Sequence, residues 1–162
     1  MTGLPNPELA LCSLPEVTEA EIQCWRQFFD ASTGMLAAFN DSLMAAHGLR
    51  LFDVLMLDML AKSDNGSARM SDLANAFMMT SSRATEQVRR LKSQGLVHRT
   101  PDPNDRRGVL ATITPAGRAR LGPALFTYAR NIRAHYLNQM SRQQMIALGD
   151  SCRRVGTEDD PE

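Results

Sequence analysis

Residues 70–121 read MSDLANAFMMTSSRATEQVRRLKSQGLVHRTPDPNDRRGVLATITPAGRARL, and the spacing of their apolar residues changes partway through. Ser71 precedes a short run, 72–78, with Leu73, Ala74 and Phe77 at helical spacing, so Ser71 is expected to cap a short helix. Thr80 is placed to cap a second helix over 81–94, which turns Ala84, Val88 and Leu91 inward and ends at Gly95. Only a few residues separate the two, which makes a helix-turn-helix. After Gly95 the chain changes to short β-branched runs at 96–100 and 109–114, suited to strands. Between them, 101–108 is expected to be a polar hairpin loop stiffened by Pro101 and Pro103.

A helix-turn-helix followed by a hairpin is a winged helix, and its second helix has the width of a DNA major groove. With Ala84, Val88 and Leu91 inward, the outward positions are Ser81, Ser82, Arg83, Thr85, Glu86, Arg89 and Arg90, with Thr80 at the cap. Hydroxyls near a helix N-terminus bond phosphates, and arginine pairs with guanine or clamps a phosphate. At the expected loop tip, Arg106 and Arg107 are placed to enter a minor groove, with Asp105 able to brace one of them.

The flanks are helical. Thr18 and Glu21 have capping-box spacing, with Val17 and Ile22 as the staple. Ile22, Trp25, Phe29, Ser32, Leu36, Phe39 and Leu43 then form one stripe to about residue 46, where Gly48 ends the helix. So long an amphipathic helix needs a partner groove, often in a second subunit, and Trp25 and Phe29 are read as core. Residues 51–61 are apolar nearly all round, interrupted by Asp53 and Asp58, which suits a buried helix. Residues 63–67 read as a loop. Thr114 and Pro115 open a long helix, and Ser141 with Gln144 caps a last one over 142–154.

The fold class is therefore mainly α with a small β-hairpin wing. An irregular arm is expected at 1–15, helical flanks at 16–50 and 115–156, a winged helix at 51–114 and an acidic disordered tail at 157–162.

Composition narrows the function. The 162 residues carry equal numbers of acidic and basic groups, yet the balance is polarised along the chain. Residues 1–60 hold 8 acidic and 2 basic side chains, whereas 81–120 hold 9 basic and 3 acidic. A basic block on one segment suits a polyanion-binding surface. No apolar run reaches the ~18 residues of a membrane span, and no basic n-region marks a secretory signal, so a cytoplasmic protein is expected. Cys12, Cys24 and Cys152 form no close pair and no metal spacing. His47 near the helix end and His98 in the wing strand read as a cap and a surface residue, His135 has no partner at ligand spacing, and no nucleophile–base motif supports an enzyme. No metal or cofactor is expected.

Residues 70–121 resemble the DNA-binding lobe of the MarR (multiple antibiotic resistance regulator) family. The resemblance rests on Leu73-Ala74, Ser82-Arg83 with Thr85, Arg90-Leu91 before Gly95-Leu96-Val97, Asp105 with Arg107, and Thr114 with Gly117. The flanking helices fit that family's dimerisation lobe by length and placement. Where the family commonly has a small residue at the interhelix turn, this chain has Met78, for which a left-handed backbone costs about 1 kcal/mol.

The resemblance implies a bacterial homodimer binding pseudo-palindromic double-stranded DNA operators, usually as a repressor. It also implies a small phenolic or aromatic effector, or a thiol that senses oxidants. A winged helix used for protein contact is the competing reading.

Overall fold

The computed structural model describes residues 15–103 and 105–156; at Arg106 and Arg107 it describes the backbone alone. The expected arm, the acidic tail and Cys12 lie outside the described residues, apart from Pro15 at the arm's end. The chain divides into two compact units, the first ending at Ala38 and the second beginning at Phe39.

Helix α1 runs over Glu19–His47, and its residues up to Ala38 belong to the first unit. It starts where the capping box predicts: Thr18 N donates to Glu21 Oε2 at 2.8 Å, and Glu21 N donates to Thr18 Oγ1 at 3.4 Å. Along it Ile22 is buried, but Trp25 and Phe29 are 50% and 47% exposed, which departs from their reading as core. Trp25 leans on Phe28 and Phe29, with ring centroids 5.9 and 6.1 Å away, so the rings shelter one another without being covered.

In the second unit, α2 (Leu51–Lys62) supplies the core with Leu51, Val54, Met56, Leu57 and Leu60, all nearly inaccessible. Its first amide, Leu51 N, donates to Asn40 Oδ1 at 2.9 Å. Helices α3 (Met70–Ala76) and α4 (Ser81–Ser93) form the helix-turn-helix. The cap of α3 is Arg69 and not Ser71, because the helix starts one residue before that serine and leaves its hydroxyl inside the first turn. Thr80 caps α4 as expected, accepting from Arg83 N at 3.3 Å.

The sheet has three antiparallel strands, β1 (Ser67–Arg69), β2 (Val97–Asp102) and β3 (Asp105–Ile113), in the order β1-β3-β2. Two features differ from the sequence reading. Strand β1 begins at Ser67, the last residue of the stretch read as a loop, and pairs with residues 110–112 of β3. The hairpin loop is also shorter than 101–108, since Asp102 pairs with Asp105. Proline is tolerated here because β2 is an edge strand, and the register shifts at Pro101/Asp102. Arg106 and Arg107 are thereby strand residues of β3.

Helix α5 (Pro115–His135) opens with Thr114 accepting from Gly117 N at 3.0 Å. A Cβ at Gly117 would collide with the Leu96 carbonyl oxygen, so the glycine lets α5 sit against the base of the wing. Helix α6 (Arg142–Gly156) begins at the expected capping box, Ser141 N donating to Gln144 Oε1 at 2.9 Å. Among the described residues no helix is long and apolar enough to cross a membrane.

Candidate nucleic-acid interface

The turn between α3 and α4 is closed by backbone alone. Met79 N donates to Ala74 O at 2.8 Å and Met78 N to Asn75 O at 3.1 Å, the two bonds of a Schellman ending. That ending requires a left-handed residue, and Met78 takes it with φ +48° while its side chain is 95% exposed. The turn has kept its usual geometry despite the bulky residue.

Helix α4 then presents its first two turns to solvent. Ser81, Ser82, Arg83, Thr85, Glu86 and Arg89 are exposed, as is Thr80, whose oxygen caps the helix while its hydroxyl hydrogen remains free to donate. Ala84, Val88 and Leu91 are completely buried. On the outer face Arg89 holds Glu86 in a two-point ion pair. The hydrogen bond from Arg89 keeps the Glu86 carboxyl below its ordinary range, and Glu86 in turn raises Arg89.

Arg90 departs from the outward reading. Its side chain turns inward to an ion pair with Asp53 of α2 and is only 22% exposed. Asp53 is fully buried and also accepts from Gln87 and from Arg50 N, the latter at 2.7 Å. Burial pushes its carboxyl up, against the opposing pull of the Arg50 amide and the Arg90 guanidinium. The helical spacing of Arg90 puts it on the flank of the buried stripe, where a carboxylate more than thirty residues away in sequence decides its direction.

The wing is braced from the side. Arg69 Nε donates to Asp102 Oδ2 at 2.8 Å, and Ser67 Oγ meets Thr112 Oγ1 at 2.7 Å. Asp105 is exposed at the end of the hairpin, and the side chains of Arg106 and Arg107 lie outside the described ones. Between α4 and the wing is a cleft of about 280 Å³ lined by Thr85, Ser71, Arg69 and Arg99, among others. Ser71, Arg69 and Arg99 were not among the sequence candidates. Only the pairing of β1 with β3 sets Arg69 beside the wing, and nothing local in the sequence signals that pairing.

The chemistry of this surface is that of hydrogen-bond donors. Two hydroxyls and the cap stand at a helix N-terminus, where the dipole favours anions, and cations flank it on α4 and β2. Among the described residues no group of His, Cys, Asp and Glu could hold a metal ion, and Cys24 and Cys152 are exposed free thiols.

The sequence profile of the MarR family matches residues 56–109, the span from α2 through most of the wing. The chain is 28% identical over 99 residues to the HTH-type transcriptional repressor NicR of Pseudomonas putida. That match covers 61% of this chain and 62% of the repressor, less than two thirds of its length. In structure the chain is similar to Sco3205, a MarR family transcriptional regulator from Streptomyces coelicolor in complex with DNA. The TM-score is 0.86 at 26% identity, over 93% of this chain and 94% of that one. It is also similar to AbsC, a MarR family transcriptional regulator of the same organism, with TM-score 0.81 at 25% identity over 88% and 95% of the two chains. The matched profile over the winged helix and the fold shared over most of the chain make this protein similar to the MarR family of winged-helix transcriptional regulators.

Proposed function

We propose that this chain is a cytoplasmic, homodimeric bacterial transcription factor that binds pseudo-palindromic duplex operators as a repressor. The carrying observation is the exposed start of α4, where Ser81, Ser82, Arg83 and Thr85 face outward beside the wing on a buried apolar footing. In this reading Arg83 and Thr85 read base edges, Ser81 and Ser82 hold phosphates, and Arg106 and Arg107 of the wing follow the backbone into the minor groove. Residues 51–114 are the DNA-binding lobe, and 16–50 with 115–156 supply the dimer contacts. The half-exposed Trp25, Phe28, Phe29 and Leu36 support the second assignment, since that much apolar surface favours burial against another copy.

The test is selection of a duplex from a randomised pool, followed by fluorescence anisotropy against a scrambled duplex of equal composition across salt. The expected result is two chains per duplex and a preference of about a thousandfold or more for the selected sequence. Equal binding to both duplexes, or to neither, would overturn the reading and favour a protein-contact role for the winged helix.

Release by a small aromatic or phenolic effector is the finer part of this proposal. A groove of about 800 Å³ lined by His47, Pro123, Phe126, Arg130 and Arg133 offers the aromatic edge and cations such a molecule needs. Salicylate added to the preformed complex is the probe. Release of DNA supports the effector, and unchanged anisotropy at millimolar salicylate removes this class.

A further inference from the structure

We infer that Asp53, on α2 and away from the outward face of α4, sets the roll of the recognition helix and so decides which of its side chains meet base edges. The inference rests on the DNA-binding reading above and deepens it with a positioning residue.

One buried carboxylate joins three groups from two elements. Oδ2 accepts from Arg50 N at the start of α2 and from Arg90, and Oδ1 accepts from Gln87. Gln87 and Arg90 are three residues apart, on one flank of the stripe formed by Ala84, Val88 and Leu91. That stripe fixes how deep α4 lies, but apolar burial has no direction and resists rolling poorly. Rolling a helix of about 5–6 Å outer radius by ~20° moves its side-chain tips by about 2 Å. Such a displacement exceeds what a hydrogen bond tolerates, whether the bond is to a base edge or to Asp53. The clamp and the readout are therefore sensitive to the same motion.

Burying a charge pair is also a poor way to gain stability alone, because apolar residues of similar volume do as well or better. What the pair adds is direction. The sequence reading placed Arg90 on the DNA; its contact with Asp53 makes it instead the inner anchor of a helix whose outer face carries Glu86 and Arg89.

The test compares Asp53→Asn, Arg90→Met, Arg90→Lys and the apolar pair Asp53→Leu/Arg90→Met. The apolar pair guards against a single variant that merely fails to fold. Melting curves confirm that each is folded at the assay temperature, and anisotropy is read on the selected and scrambled duplexes. The expected result is a loss of discrimination of about tenfold or more in Asp53→Asn, Arg90→Met and the apolar pair, comparable to losing one base-specific contact. Affinity for the scrambled duplex and its salt slope stay unchanged, and Arg90→Lys, which keeps the ion pair, keeps most of the discrimination. A purely structural role would lower the melting temperature and leave the discrimination of the folded protein intact, which would overturn the inference. Uniform weakening on both duplexes in Arg90→Met, with a salt slope shallower by about one, would make Arg90 a phosphate contact and overturn it too. If the wild-type chain itself does not discriminate, the DNA-binding reading falls and this inference with it. If wild type discriminates and the variants do so equally well, the inference falls alone.

Discussion

Arg89 and Glu86 close on each other across one turn of α4, with Nη2 donating to Oε1 at 2.6 Å and Nε to Oε2 at 2.8 Å. Both side chains are well exposed, so the pair is held by its two-point geometry and not by burial. It neutralises one cation on the outward face before any polyanion approaches. Glu86→Gln should free Arg89, tighten binding to selected and scrambled duplexes alike, and steepen the salt slope by about one. Anisotropy across a salt series measures this. If Glu86 instead accepts from a cytosine amino group, the same variant relaxes one base position and leaves the slope unchanged.

Met78 offers a prediction on stability. Its φ of +48° is left-handed, its side chain is 95% exposed, and the turn bonds around it use backbone only. Met78→Gly removes about 1 kcal/mol of strain and sacrifices little packing, partly offset by the greater freedom of glycine in the unfolded chain. The melting temperature should rise by about 1–3 °C. A fall would mean that the methionine side chain is covered in the assembled protein.

The contrast between Thr80 and Arg90 shows what the sequence carries and what it does not. Caps are local. Thr18 with Glu21, Thr80, Thr114 with Pro115, and Ser141 with Gln144 each announce a helix start within a few residues, and each start lies within about a residue of its expected place. The buried stripe of α4 is local as well, and Ala84, Val88 and Leu91 follow from spacing alone. Arg90 is different, since its direction depends on Asp53 across the core, and Asp53 reads in the sequence only as an interruption of an apolar helix. Strand β1 likewise exists because Leu110–Thr112 offers an edge to Ser67–Arg69, a polar stretch without strand character of its own. Ser71 failed as a cap because Arg69, ending that strand, already supplies the turn into α3.

Glu21 predicts a pH dependence. It accepts from the Thr18 hydroxyl at 2.7 Å and from the Thr18 amide at 2.8 Å, and these bonds hold its carboxyl below the ordinary value of 4.5. A folded-state value below the unfolded one means the ionised group stabilises the helix start above pH 4.5 and loses that contribution as pH falls through its lowered value. Glu21→Gln should therefore lower the melting temperature near neutral pH and converge with wild type in acid. A difference that is constant with pH would mean that shape, and not charge, closes the capping box.

On the proposed DNA-binding reading, the wing and α4 should fail in different ways. Arg107 lies in β3 near the end of the hairpin, and on that reading its contribution is mostly electrostatic. Arg107→Ala should weaken binding about equally on every duplex and make the salt slope shallower by about one. Thr85 lies on the exposed face of α4 and lines the cleft to the wing together with Arg99, while Arg83 stands in the first turn. Substituting either with alanine should cost about 1–3 kcal/mol at one or two base pairs and leave non-specific binding as it was. Binding measured over single-base variants of the selected duplex separates the two patterns. A base-specific loss for Arg107 would move it from the backbone to readout. A uniform loss for Arg83 or Thr85 would move those residues to phosphate.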